Sequence, residues 1–572
     1  MRWNQGFQAI ARKLFECLNV CMGTRNYTDE ELLQMDKEEL IRTIHNEQEE
    51  YKKKLDEYNT LLKERDQQLM YMTEQLSSQK QQRFGRSTEA STSLIQQMDL
   101  FNEAEATVDS HKVINEPSAE QVVKGYVRKK KGKRADDLKG LPVKRIDLRL
   151  TEEELKEKFP DGYKELPEEI FSRLHFVPAR LITIEYHVHV YRAVKGHGIE
   201  RADRPADLLK RSLVTPSLLA GILNYKYVNS LPLNRIEQEF KRNGFNLNRE
   251  VMCSWVIRCT ERYLSLIHDR MKEEMMKSHC LHADETPVNV QKDGRPAGSK
   301  SYFWVYRTEA QLEKTNDIIL YEYQKTRNAE HPQQFLQGFC GVLMTDAFSG
   351  YHTLDRNSDD ITVQNCWVHA RRPFSNVIKA KADKQDMSIA QEAYDRITEL
   401  FNIERPLKEM PAEERLKKRQ ELIRPKVDEL FQWAREQLNV VLPKSETGKG
   451  LSYLLNQEKY LRVFLDDPLV PMTNNTCEQG LRIVTIGRKN FMTIDTISGA
   501  QSSAICYSIA ETAKANGLSP YAYFCYVLTE LPKHMDDKDL KFLDGLMPWD
   551  PDIKEHIYQN QEAIKAITAV TQ

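Results

Sequence analysis

Between positions 36 and 80 apolar residues recur at alternating steps of four and three: Ile41, Ile44, Tyr51, Leu55, Tyr58, Leu62, Leu69, Met72 and Leu76. Gln48 and Arg65 interrupt this seam, and its flanks are rich in Glu, Lys and Gln with no Gly or Pro. A narrow stripe of period 3.5 predicts a long helix that pairs with another helix as a coiled coil. The expected partner is a second copy of the chain, giving a homodimer or a higher oligomer.

Gly85, in the segment RFGRSTE, should end that helix. Beyond Glu105 the composition turns polar and closes on the basic run KGYVRKKKGKR, which contains Lys129, Lys130, Lys131, Lys133 and Arg134 and no acid. Such a run neutralises phosphates without reading sequence. RLITIEYHVHVYR alternates and is rich in β-branched residues, so a strand is expected there. His187 and His189 would share one face of it. A metal site with His197 is conceivable, but no cysteine is near, and two exposed strand histidines are the preferred reading.

Helical periodicity returns over residues 206–270. A helix from Ile236 to Arg242 should break at Asn243-Gly244, and Asn248 can cap a second helix running through Trp255 and Ile257. Helix, short turn, helix is the outline of a helix-turn-helix. From residue 278 short strands follow: HCLHADETPVNVQ, SYFWVYR and DIILYEYQ, then a helix from about Pro332 to Phe339 and a fourth strand, GVLMTDAF. TVQNCWVHA reads as a fifth strand, with a helix beginning near Arg371. This order is that of a ribonuclease-H-like α/β fold. Residues from about 385 to 460 are charged and helical and look like an insertion in that core.

Composition adds limits. A chain of 572 residues predicts several domains. With 40% hydrophobic and 29% charged residues it is globular in character. No apolar run is long enough to span a membrane, and the first residues, interrupted by Lys13 and Glu16, make a poor signal peptide. Ten scattered cysteines without a CxxC argue against a disulfide framework and suit a reducing cytoplasm. A net charge of −2 leaves any nucleic-acid contact to local basic patches.

Three acids stand out. Asp284 lies in one strand, Asp346 ends the fourth, and the first and fourth strands are neighbours in this fold order. Glu478, in NNTCEQGLR, falls near the start of the last core helix. A buried carboxylate is costly unless it has a role. Converging carboxylates can hold two divalent ions about 3.5–4 Å apart, the arrangement that activates a nucleophile and stabilises a leaving 3′ oxygen. Mg²⁺ suits such hard oxygen donors, with Mn²⁺ as a substitute. Glu285 and Asp355 compete, but Glu285 should point to the opposite strand face and Asp355 lies beyond a turn. Asp495 rivals Glu478 in a looser setting.

At these residues the chain resembles a known family. LHADETPV, LMTDAFSGYHTL, CWVHARRPF and NNTCEQGLRIVTIGRKNF, in this order, look like the core motifs of insertion-sequence-66 family transposases. AICYSIAETAKANGLSPYAYFCYVLTELP resembles the end of that core and the family's C-terminal segment, and the predicted coiled coil, RFGRSTE and DLFNEAE resemble its N-terminal region. The resemblance implies a DDE transposase with Asp284, Asp346 and Glu478 as catalytic, metal-binding acids. Asn474 and Asn475 match the paired asparagines before the glutamate, and His369, Arg371 and Arg372 match the CWVHARR segment. Arg488 and Lys489 match the basic GRKN segment. We assign Arg371, Arg372, Arg488 and Lys489 to the DNA backbone.

Two departures matter. The family's cysteine-rich zinc module has no counterpart here, because about residues 155–205 hold no cysteine, so no structural zinc is expected. Gln479 stands where an arginine commonly follows the glutamate. The resulting division is a leader (1–35), coiled coil and RFGRSTE (36–105), linker (106–140), cysteine-free module (141–205), helix-turn-helix-like region (206–270), core (271–515) and C-terminal helical segment (516–572).

The expected activity is metal-dependent cleavage and strand transfer of an insertion sequence. The partners would be transposon ends and target DNA, with accessory proteins of the same element and no membrane, on the nucleoid in the cytoplasm. A catalytically inactive or regulatory DNA-binding relative is the alternative. A metal-free glycoside hydrolase would need aromatic sugar platforms that are not evident, and a purely structural coiled-coil protein would leave the strand-rich core unexplained.

Overall fold

Asp36 opens the first helix by accepting the backbone N–H groups of Glu38 and Glu39 at 2.8 and 2.9 Å. This helix, α1 (Lys37–Phe84), is 48 residues long, or about 72 Å. The computed structural model describes residues 35–84, 181–185, 187, 189–192, 199–201, 207–296, 298–380 and 388–568. The leader, most of RFGRSTE, the linker with Lys129, Lys130, Lys131, Lys133 and Arg134, and most of the cysteine-free module lie outside the described residues. Along α1 the seam residues Leu55, Tyr58, Leu62, Met72 and Leu76 are exposed. Gln67 Nε2 donates to Val440 O at 2.8 Å, which holds the helix against the body of the protein.

The strand expected over 180–192 is much shorter. β1 (Val190–Arg192) pairs antiparallel with β2 (Ile199–Arg201), while His187 and His189 precede the pairing and are exposed. The helices that follow match the sequence more closely. α2 (Pro216–Leu223) has Thr215 as its cap, accepting the Leu218 N–H, and Pro216 in the first turn. α3 (Leu233–Arg242) stops at Asn243, and Gly244 takes the left-handed φ of 84° that the turn requires. α4 (Arg249–Cys259) starts after Asn248, whose side chain makes no capping bond. It runs through a wide turn into α5 (Ser265–Met275). The second helix is thus longer than expected, because Met252, Val256, Cys259, Leu264, Ile267 and Met271 keep one apolar face buried.

The sheet comes next. β3 (Cys280–Val288) is followed by a short β4 (Val290–Lys292), then β5 (Ser301–Thr308) and β6 (Ile319–Gln324). After α6 (Glu330–Phe335) come β7 (Gly341–Thr345), α7 (Ser349–Asn357), β8 (Ile361–Asn365) and α8 (Trp367–Ala380). The five-stranded order is β6-β5-β3-β7-β8. β3, β5 and β6 are antiparallel, whereas β7 and β8 run parallel to β3. The fifth strand ends at Asn365 rather than running through TVQNCWVHA. There Trp367 N–H donates to Met472 O and turns the chain into α8, so His369, Arg371 and Arg372 are helical.

The segment read from sequence as an insertion holds the helices α9 (Ile389–Leu407), α10 (Ala412–Lys418), α11 (Arg424–Leu438) and α12 (Glu446–Asn456). It closes a second apolar core on α8 through Trp367, Phe374, Ile397, Phe431 and Leu454. α13 (Asn475–Phe491) returns to the sheet, β9 (Ile494–Thr496) pairs with β4, and α14 (Ile497–Ala515) covers β6. Hydroxyls of α14 complete that edge strand: Ser508 accepts the Tyr321 N–H at 2.8 Å and Thr512 the Ile319 N–H at 3.0 Å. α15 (Pro520–Glu530) and α16 (Ile553–Thr568) finish the described chain. Among the described residues no helix is long and apolar enough to cross a membrane.

Candidate catalytic site

β3 and β7 set the first two acids. Their register pairs Cys280 with Val342, Leu281 with Leu343 and His282 with Met344. Two residues further along, the same register brings Asp284 level with Asp346, the first residue after β7. Phe348 N–H donates to Asp346 Oδ1 at 2.9 Å, and Ala347 between them adopts a left-handed φ of 71°. Glu478 lies in the first turn of α13, where the helix dipole favours a carboxylate.

A buried clamp holds the start of α13 on β3. Asn474 is fully buried; its Nδ2 donates to Ala283 O at 3.0 Å, and its Oδ1 faces His282 Nδ1 at 2.8 Å. The other imidazole nitrogen faces Glu309 Oε2 at 2.9 Å. Asn474 N–H donates to Cys366 Sγ at 3.2 Å, which ties α13 to the start of α8 as well. His282 and Glu309 were not singled out from sequence. A histidine and a glutamate 27 positions apart carry no joint signal until β3 and β5 pair.

The candidate ligand residues form two groups. Ligand oxygens of Asp284, Glu285 and Asp346 all lie within 4.8 Å of one another. Donor atoms of Cys366, His369 and Glu478 form a second trio within 4.8 Å. Burial pushes the Asp284 carboxyl well above the usual range, and the nearby charges of Glu285, Asp346 and Glu478 add to it. Glu478 is raised by burial and Asp346, against the pull of Arg372 and Arg482. Burial, with Arg372 beside it, holds the His369 imidazole down at about 4, so it is neutral near pH 7.

Glu285 corrects the sequence reading. It does not stay on the opposite face: Arg327 donates to its Oε1 and Tyr351 Oη to its Oε2 at 2.8 Å, and one of its oxygens lies within 4.8 Å of those of Asp284 and Asp346. Strand alternation governs Cβ direction, and a glutamate is long enough to turn back. Arg327 also reaches Asp346 Oδ2 at 3.7 Å. The other rivals are engaged elsewhere, Asp355 with Lys459 at 2.6 Å and Asp495 with Lys292 at 2.8 Å.

The four basic residues assigned to DNA divide. Arg371 lies over the rings of Tyr394 and Phe401 and donates to Thr398 Oγ1 at 3.1 Å, so its guanidinium is packed into the insertion. Arg488 donates to Pro287 O at 2.6 Å and braces β3. Arg372 is half exposed, 3.8 Å from Glu478 Oε1, and Lys489 is exposed. Hydrophobic pattern cannot separate an arginine that packs from one that faces solvent.

The model of the "Transposase IS66 family" matches residues 211–502, which hold the whole sheet and both trios. The chain belongs to the IS66 transposase family. The "IS66 C-terminal element" matches residues 508–549, and "Transposase C of IS166 homeodomain" matches 71–146. Membership makes the protein a transposase, a DNA-cleaving enzyme in general kind. It is similar to the uncharacterized protein y4hP of Sinorhizobium fredii, at 28% identity over 67% of this chain and 71% of the relative. The uncharacterized protein y4qI of the same organism is 28% identical over 66% of this chain and 70% of its own length.

Proposed function

We propose that this IS66 transposase cleaves insertion-sequence ends and joins them to target DNA, using Asp284, Asp346 and Glu478 to hold divalent ions in a ribonuclease-H-like core. The carrying observation is the gathering of Asp284, Asp346 and Glu285 oxygens within 4.8 Å. Glu478 is close enough to feel Asp346 and be felt by Asp284. The strand order supports the fold reading: three antiparallel strands with two parallel strands beside the first.

The residues fit Mg²⁺ or Mn²⁺. Glu285 and Asp346 share one guanidinium, that of Arg327; burial, Glu285 and Asp346 raise the Asp284 carboxyl, and burial with Asp346 raises that of Glu285. Hard oxygen donors in that state are what a small divalent cation relieves. When bound, such ions activate the attacking oxygen and stabilise the leaving one. Asp284 on β3 and Asp346 just past the end of the parallel β7 orient the scissile phosphate. Glu478 closes the site from α13. Arg372 and Lys489, both open to solvent, take neighbouring phosphates. α1 pairs two protomers through its exposed seam. The helices α3 and α4 and the basic run at 124–134 engage the element ends.

The test is a strand-transfer assay with Asp284→Asn, an uncharged group of equal size. Loss of a metal-holding carboxylate should cost several kcal/mol of barrier, roughly 10³-fold in rate. Full activity in this variant would overturn the assignment.

A further inference from the structure

We propose that His369 is a further side chain of the ion site, binding through Nδ1 the divalent ion that Glu478 holds, so that one of the two ions has a mixed nitrogen and oxygen donor set. This rests on the metal-dependent reading above and adds a ligand to it. His369 projects from the first turn of α8 and Glu478 from the first turn of α13. The two helix starts are stitched together: Trp367 N–H donates to Met472 O at 3.0 Å, and Asn474 N–H to Cys366 Sγ at 3.2 Å. Their positions are therefore set by backbone and not by the two side chains.

His369 Nδ1 and Glu478 Oε1 face each other at 3.9 Å. Both atoms are buried, and neither has a hydrogen-bond partner among the described residues. Leaving a buried polar atom unpaired costs about 1–3 kcal/mol, yet this pair stands too far apart to satisfy itself. An ion bonded at about 2.1 Å to each atom spans donors roughly 3.0–4.2 Å apart, so the gap fits one ion and is too long for a direct hydrogen bond.

The neighbours agree. Asp346 acts electrostatically on both His369 and Glu478 while its own oxygens sit with Asp284 and Glu285. Its charge is thus felt in an all-carboxylate lobe and in a histidine-containing lobe. Cys366 lies within reach, but its sulfur already accepts the Asn474 N–H and is fully buried, so it serves as an anchor. Arg372, 3.8 Å from the same glutamate oxygen, is half exposed and can turn outward to phosphate when an ion arrives. An imidazole ligand shifts this lobe toward Mn²⁺ and other transition ions relative to Mg²⁺.

The full chain is loaded with Mn²⁺ and studied by pulsed electron paramagnetic resonance, which reads ¹⁴N coupling from a bound imidazole without any turnover. The wild type should show that coupling. His369→Gln should lose it, with affinity for one Mn²⁺ falling about 10–100-fold while the other ion stays bound. Bound Mn²⁺ with no nitrogen coupling in the wild type overturns the proposal even if the variant fails to fold. That result leaves the carboxylate site intact, provided Asp284→Asn still weakens Mn²⁺ binding. Wild-type protein that binds no Mn²⁺ at all overturns both readings.

Discussion

His282 Nδ1 stands 2.8 Å from Asn474 Oδ1, with both side chains fully buried, and this contact joins the strand of Asp284 to the helix of Glu478. Asn474 Nδ2 donates to the carbonyl of Ala283, so its Oδ1 is the acceptor and the imidazole donates. Asn474→Ala would strand the His282 N–H and the Ala283 carbonyl, a loss of about 1–3 kcal/mol in stability. It would also release the start of α13 from β3. Strand transfer should therefore fall further than the urea midpoint accounts for. A variant that is destabilised but equally active per folded molecule would show that the clamp serves folding alone.

Glu285 is expected to act with the ion site, because its oxygen lies within 4.8 Å of those of Asp284 and Asp346. Glu285→Gln keeps the shape and removes the charge, and it leaves Arg327 to turn toward Asp346. Titration calorimetry with Mn²⁺ should find affinity reduced about 10–100-fold. Unchanged affinity would return Glu285 to a purely structural pairing with Arg327 and Tyr351.

Glu322 on β6 gives a pH signature. Burial pushes its carboxyl from 4.5 up to about 7, although Gln324 donates to it. The folded protein thus binds this proton more tightly than the unfolded chain. The group's contribution to stability falls as pH rises through the window from about 4.5 to about 7, and stays lost above it. Glu322→Gln should be the more stable protein at pH 8, by on the order of 2 kcal/mol, and lose that advantage below pH ~4.5. Urea titrations at pH 4 and pH 8 check the sign.

Arg419 and Glu404 form a wholly buried pair within the insertion. Arg419 Nη1 also donates to the carbonyls of Phe464, Asp467 and Val470. Arg419→Leu should cost about 3–5 kcal/mol by leaving a buried carboxylate unpaired. Adding Glu404→Leu should recover only part of that, since three carbonyls still lack a donor. Full recovery in the double variant would mean that the ion pair alone matters.

The exposed seam of α1 predicts self-association. Leu55→Glu combined with Leu62→Glu puts charge at 43% and 52% exposed positions, so folding of the body should be unaffected. Sedimentation should move from dimer or higher species to monomer, with the thermal midpoint of the core unchanged. A monomeric wild type would end the coiled-coil reading.

Local pattern determined much of this protein. The heptad spacing from Ile41 to Leu76 marked α1, because one face of a helix repeats every three or four residues whatever surrounds it. Short strand-like runs between polar turns, SYFWVYR and DIILYEYQ, marked β5 and β6, and Asn243-Gly244 marked the turn between α3 and α4. Motif order carried the family, and with it the choice of Asp284, Asp346 and Glu478. Tertiary packing decided what local pattern cannot encode. TVQNCWVHA contains no Gly or Pro to mark a boundary, so the bond from Trp367 N–H to Met472 O shows where strand gives way to helix. Glu285 turned toward Asp284 because Arg327 and Tyr351, distant in sequence, pull it there. Arg371 packed on two rings while Arg372 stayed half exposed, a difference set by helix rotation against the insertion. The facing of His369 and Glu478 arises only when two helix starts 108 residues apart, at Cys366 and Asn474, are bonded together. Charges act over ångströms of space, and the spacing of residues along a chain does not contain those distances.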